Sequence, residues 1–241
     1  MNDLTDLVGT SATNSAILWL TMTLLAYLAA LRLYRYGGGH PLLLPILTSV
    51  TMIIAVLLLT DTPYADYAES TQFLYFLIGP ATVALAVPLY NQLERLKQLW
   101  RPVLAALVAG ALTAIFSGVG LAMVLGASPE TVLSLAPKSA TMPIAMEVGD
   151  LMGGLPSFTA IAVAATGIAG AVLAGGLFKL LRIGDPAIEG FALGLTAHAI
   201  GTARALKDSQ TSGAFAALGM GLNGVATAIF VPAALAVLDL F

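Results

Sequence analysis

The chain alternates between long charge-free stretches and short charged ones. No Asp, Glu, Lys or Arg occurs over 7–31, 36–60, 70–93, 102–129, 151–178 or 209–238, and each run holds 24 residues or more. About 20 apolar residues carry a helix across a bilayer, so all six runs predict transmembrane helices. Two other charge-free stretches are too short for a lipid-facing span: 139–146, between Lys138 and Glu147, and 190–203, between Glu189 and Arg204. Such lengths predict re-entrant or broken segments buried against other helices, with ordinary kinked spans as the alternative. The expected fold is therefore an all-α integral membrane protein, a polytopic helical bundle of six long spans and two short segments near 129–150 and 187–208.

Charge placement orients this bundle. With the N-terminus outside and six crossings, the cytoplasmic loops carry Arg32, Arg35, Arg95, Lys97, Arg101, Lys179, Arg182, Arg204 and Lys207. Lys138 is the one remaining base, and the outside loop 61–69 holds Asp61, Asp66 and Glu69 without any base. That is the positive-inside pattern. The two short segments then dip in from opposite sides, which is the sequence pointer to inverted repeats and a transporter-like binding site. The expected organisation is a single membrane domain over 1–241, with N-terminal spans over 7–90 and two inverted units over 102–241. The third span contains Pro80 and Pro88 in the stretch Ile78 to Tyr90. Each proline removes a backbone donor, so a discontinuous helix is expected there, as a structural kink or as a lining break.

Composition sharpens the membrane reading. Of 241 residues, 10% are charged and 59% hydrophobic, with a net charge of -3 and a mean hydropathy of +0.93. Soluble domains carry about 25% charge, so a soluble enzyme, a disordered chain and a nucleic-acid binder are all excluded. Without cysteine there is no thiolate chemistry or disulfide framework. No metal-ligand cluster or phosphate loop is evident, and no cofactor is expected. The stretch from Met1 to Ala16 carries Asp3 and Asp6 but no base, which fits neither a secretory signal nor a transit peptide.

Candidate chemistry collects on the two short segments. In the first, Pro137 and Pro143 mark breaks, while Ser139 and Thr141 offer hydroxyls near a helix N-terminus suited to a carboxylate. Lys138 adds a positive charge there, or else snorkels to the headgroups. In the second, Gly190 with Gly194 and Ala197 with Gly201 recur at a spacing that allows close helix packing. His198 stands in an apolar run with no charge nearby, and Thr202 lies four residues on, on the same face of a continuous helix. An ionisable residue within a membrane segment is a functional candidate. Glu147 and Asp150 are either solvated loop charges or a cation site. Asn223, between Gly221 and Gly224, packs across helices or lines a path.

Pro137-Lys138-Ser139 with Thr141 and Pro143-Ile144-Ala145, then Gly153-Gly154, then Ala197-His198-Ala199-Ile200-Gly201-Thr202-Ala203, resemble the LrgB (CidB) family. Gly79-Pro80-Ala81 through Pro88-Leu89-Tyr90 is similar to its earlier motif. Glu147 and Asp150 depart from the family pattern. The resemblance implies a multi-pass protein of the bacterial inner membrane and divides on function. Bacterial members are known as antiholin-like regulators of murein hydrolase export that act with a small LrgA/CidA-type partner. A plant relative is a plastid glycolate/glycerate translocator, and some bacterial members are linked to pyruvate uptake. Residue chemistry favours a proton-coupled transporter of small monocarboxylates. Lys138, Ser139, Thr141, His198, Gly201 and Thr202 would form the substrate site, with His198 carrying the proton and a homodimer as the default assembly.

Overall fold

The computed structural model describes residues 16–40 and 43–238, and every regular element among them is a helix. The chain packs as two compact units, one ending at Ala84 and one from Leu85 onward.

The first unit holds α1 (Ala16–Tyr36), α2 (Pro45–Leu59), α3 (Tyr64–Ser70), α4 (Gln72–Phe76) and α5 (Ile78–Ala84). Residues 7–15 of the first predicted run lie outside the described residues. Trp19 of α1 is buried and meets Tyr67 of α3 edge-on at 5.5 Å. A 3.1 Å hydrogen bond between the Thr23 and Tyr67 hydroxyls fixes the same pairing. The second predicted run, 36–60, is only partly helical. Gly38 and Gly39 adopt positive φ of 63° and 77°, a conformation that glycine tolerates and other residues resist. Pro45 then sits in the first turn of α2, where its missing N–H costs nothing. The resulting helix of 15 residues rises about 22 Å, short of the roughly 30 Å hydrocarbon core.

The second unit holds α6 (Ala86–Tyr90), α7 (Leu93–Val124), α8 (Pro129–Leu135), α9 (Met142–Leu151), α10 (Pro156–Leu180), α11 (Pro186–Asp208) and α12 (Gln210–Val237). The third predicted run divides into three short helices, α4, α5 and α6, with Pro80 inside α5 and Pro88 inside α6. Among the described residues, five stretches are long and apolar enough to cross a membrane: α1, residues 72–90, α7, α10 and α12. This is a polytopic helical membrane protein. Its exterior agrees, because Ile161 and Leu173 on α10 and Val225 and Ile229 on α12 are all at least 60% exposed. A lipid-facing surface carries such residues without penalty.

Local sequence sets the helix starts. Ser128, Asp185 and Ser209 cap α8, α11 and α12 by accepting from the backbone N–H of Thr131, Ala187 and Ser212. Asp185 also accepts from Arg95 Nη2, at 2.6 and 2.7 Å to its two oxygens, and so pins the start of α11 to α7. The pair is about 40% exposed, which limits its worth to about 1 kcal/mol or less, whereas a lost cap costs about 1 kcal/mol by itself. Asp185→Ala should therefore lower thermal stability more than Arg95→Ala. Equal losses of melting temperature in detergent would show that the cap contributes nothing.

The interior is built from small residues. Gly190 and Gly194 of α11 lie directly against the carbonyls of Ser212 and Ala216 of α12, so backbone meets backbone with no side chain between. Small apolar clusters close the two sides. Ile115, Val119, Val132, Val231 and Leu235 form one, and Leu107, Phe191, Leu195 and Phe215 the other.

Candidate functional site: two helix breaks joined by Asn223

Within the second unit, a long helix followed by a broken segment occurs twice. Helix α7 leads into α8 and α9, which are separated by residues 136–141. Helix α10 leads into α11, whose ladder is interrupted at His198, with φ 41° and ψ −128°. Neither proline nor glycine causes this second break. A non-glycine residue held there stores strain on the order of 1–3 kcal/mol, a feature that concentrates at functional positions.

The two breaks share one local geometry. Lys138 Nζ donates to the Ala114 carbonyl of α7 at 2.9 Å, and its stem lies over Gly118, four residues further along. His198 Nε2 donates to the Val163 carbonyl of α10 at 3.0 Å, and its ring lies over Gly167, again four residues further along. In each case a glycine leaves room for a long polar side chain to reach a carbonyl one turn away. Donation from Nε2 fixes the neutral tautomer and leaves Nδ1 as the position that gains or loses a proton.

Asn223 of α12 ties the breaks together. Its Nδ2 donates to the Ser139 carbonyl at 3.0 Å and to the Leu195 carbonyl at 3.0 Å. A helix that stops leaves its last carbonyls without intrahelical donors, and Asn223 supplies one to Leu195, three residues before the break. Next to it, Gly224 faces the Ile144 side chain in the first turn of α9. Asn223 is 1% exposed, and its Oδ1 has no hydrogen-bond partner among the described residues.

The residues expected at the site divide accordingly. Ser139 is buried at the first break. Thr141 is the N-cap residue of α9 but makes no side-chain cap, so the helix start remains open; Pro143 lies in that first turn. Pro137 is fully buried in the turn. The Thr202 hydroxyl is already engaged, donating at 2.8 Å to the His198 carbonyl, and thereby satisfies the broken ladder. Gly201 is a packing position, since a Cβ there would meet the Leu193 carbonyl. Lys138 and His198 turn toward different helices, and the structure joins their segments through Asn223. Pro80 lies in the other unit and is exposed, as are Glu147 and Asp150 on α9. No group of three or more metal-ligating side chains occurs among the described residues.

A cavity of about 450 Å³ flanks this region between α7 and α11, lined by Pro102, Val103, Gly110, Phe191, Leu195 and Thr196 among others. Asp185, the partner of Arg95, also lines it. Leu195 presents its side chain to the cavity and its carbonyl to Asn223, so it separates the cavity from the junction of the breaks.

Comparison with known proteins places this architecture. Residues 23–237 match the model of the LrgB-like family. An uncharacterized protein of Haemophilus influenzae is 35% identical over 184 residues, covering 76% of this chain and 80% of that protein. The uncharacterized protein YxaC of Bacillus subtilis is 34% identical over 217 residues, covering 90% and 94%. The antiholin-like protein LrgB of Bacillus cereus is 28% identical over 213 residues, covering 88% and 93%. No solved structure matches. With a family match over nearly the whole chain and relatives above 30% identity along most of their own lengths, this chain belongs to the LrgB-like family.

Proposed function

We propose that the protein is a secondary transporter of small monocarboxylates, of the glycolate, glycerate or pyruvate kind, in the bacterial inner membrane. The observation that carries this reading is the pair of helix breaks with matching geometry, one holding the half-buried Lys138 and the other the buried His198, and both held by Asn223. Broken helices facing each other at mid-membrane are how carriers expose backbone groups to a substrate. We read α7–α9 and α10–α11 as the two inverted units, entering from opposite faces as the loop charges imply. The open N-terminus of α9 and the Lys138 ammonium receive the carboxylate. His198 carries the coupled proton on Nδ1, and alternating access comes from movement of the broken segments against the long helices.

A second reading, regulation of lysis as an antiholin-like protein with an LrgA/CidA-type partner, is favoured by the name of the Bacillus cereus relative. It requires no substrate. Uptake of radiolabelled glycolate, lactate and pyruvate into proteoliposomes under an imposed pH gradient separates the two. Saturable uptake is expected; its absence for every acid, with the small partner included as well as omitted, sinks the transporter.

The His198 role has its own test. His198→Gly suits the positive φ and leaves the break intact, while His198→Gln keeps a polar side chain. Both variants are expected to insert and fold, to lose the response of uptake to the pH gradient, and to retain exchange of labelled for unlabelled substrate at equal pH. A folded variant with gradient-driven uptake unchanged removes the proton from His198.

A further inference from the structure

We infer that Asn223 is a specificity-determining residue, whose Oδ1 accepts a hydrogen bond from the substrate's own hydroxyl and thereby favours 2-hydroxy over 2-oxo carboxylates. The inference rests on the transporter reading and deepens it.

Both hydrogens of the Asn223 amide are committed, at 3.0 Å each, to the Ser139 and Leu195 carbonyls. That fixes the orientation of the group, because the flipped amide would set Oδ1 against two carbonyl oxygens. Oδ1 is thus a fully buried acceptor with no donor among the described residues. A buried polar atom left in this condition is destabilised relative to one that is paired, and a bound ligand that donates to it recovers the difference. The chemistry around it indicates which ligand. Ser139, one residue from Lys138, brings a hydroxyl to this buried position, and the uncapped start of α9 meets α12 at Gly224, the next residue after Asn223. These groups are donors and suit a carboxylate. Asn223 Oδ1 is the acceptor beside them, and it suits a donor carried on the neighbouring carbon. A hydroxy acid supplies both groups. An oxo acid brings only lone pairs to the second position and sets its keto oxygen against Oδ1. Thr202, the hydroxyl beside the second break, has its proton engaged by the His198 carbonyl and is less suited to the discrimination.

The test uses acids that share a carbon skeleton and a single carboxylate: lactate against pyruvate, and 2-hydroxybutyrate against 2-oxobutyrate. Initial rates into proteoliposomes give kcat/KM for each. For the wild-type protein the hydroxy acid is expected to lead by about ten- to a hundredfold, the order that follows when the wrong substrate leaves one buried acceptor unpaired. A ratio of one, or a preference for the oxo acid, overturns the role of Asn223 while leaving the transporter intact. Uptake of no acid at all removes both proposals. In Asn223→Ala the ratio is expected to fall toward one in whatever transport remains, and a competent variant that keeps the wild-type ratio also overturns the inference. If the variant does not fold, the wild-type ratios alone decide.

Discussion

Lys138→Met is expected to reduce uptake at low substrate concentration by about a hundredfold or more while leaving the protein at least as stable as the wild type. The ammonium is half-buried, bonded to one carbonyl oxygen, and no carboxylate pairs with it among the described residues. A cation inside a membrane protein without a counter-ion is costly, and an apolar replacement of similar volume often stabilises. Methionine suits the narrow channel over Gly118, where the lysine stem already runs. What it cannot do is meet an anion. Truncating one partner of a desolvated charge pair costs about 2–5 kcal/mol, and the hundredfold estimate lies within that range. Initial rates against concentration, with melting temperature in detergent, check both halves. A lower melting temperature with uptake preserved would mean that Lys138 serves only the Ala114 carbonyl.

The legibility of this chain in its sequence varies with the physical cause. Charge spacing foretold the long helices because desolvating a charge dominates everything else in a bilayer. It also led to the expectation of interrupted segments near 129–150 and 187–208, because the charge-free runs within them, 139–146 and 190–203, are too short for a lipid-facing span. The first break was marked by Pro137 and Pro143. Nothing in the letters marked His198 as the point where α11 breaks, since it stands between Ala197 and Ala199, both good helix formers, and carries its positive φ without being glycine. The pairing of Lys138 with Gly118 and of His198 with Gly167 was invisible for a simpler reason: each joins residues tens of positions apart. Asn223 had a signal, a lone amide in a charge-free run, but a single polar residue there packs more often than it binds. Only the fold shows both its hydrogens committed and its oxygen without a partner among the described residues. The second predicted span failed as a full helix because Gly38, Gly39 and Pro45 impose a local geometry that hydropathy does not sense.

Gly194→Val is expected to abolish the folded state. At Gly194 an added Cβ enters the Ala216 carbonyl oxygen of α12, with that residue's carbonyl carbon and Cα close behind. No rotamer relieves a clash made by Cβ itself, so the helices must separate. Overpacking a core costs about 1–3 kcal/mol where side chains can move aside, and here the obstacle is backbone. The loss should exceed that range, a large fraction of the roughly 5–15 kcal/mol that holds a domain together. Separation would also pull α12 away from α11 and break the Asn223 bond to Leu195, so any protein that survives should have lost uptake as well. Two glycines serve as controls on the same helix family. A Cβ at Gly176 of α10 or Gly221 of α12 meets nothing within 4 Å, and alanine at either favours helix by about 1 kcal/mol. Gly176→Ala and Gly221→Ala should therefore elute as the wild type on size exclusion and melt at the same temperature or higher, while Gly194→Val aggregates. A monodisperse Gly194→Val protein with a wild-type melting temperature would show that α11 and α12 do not pack backbone to backbone at this crossing.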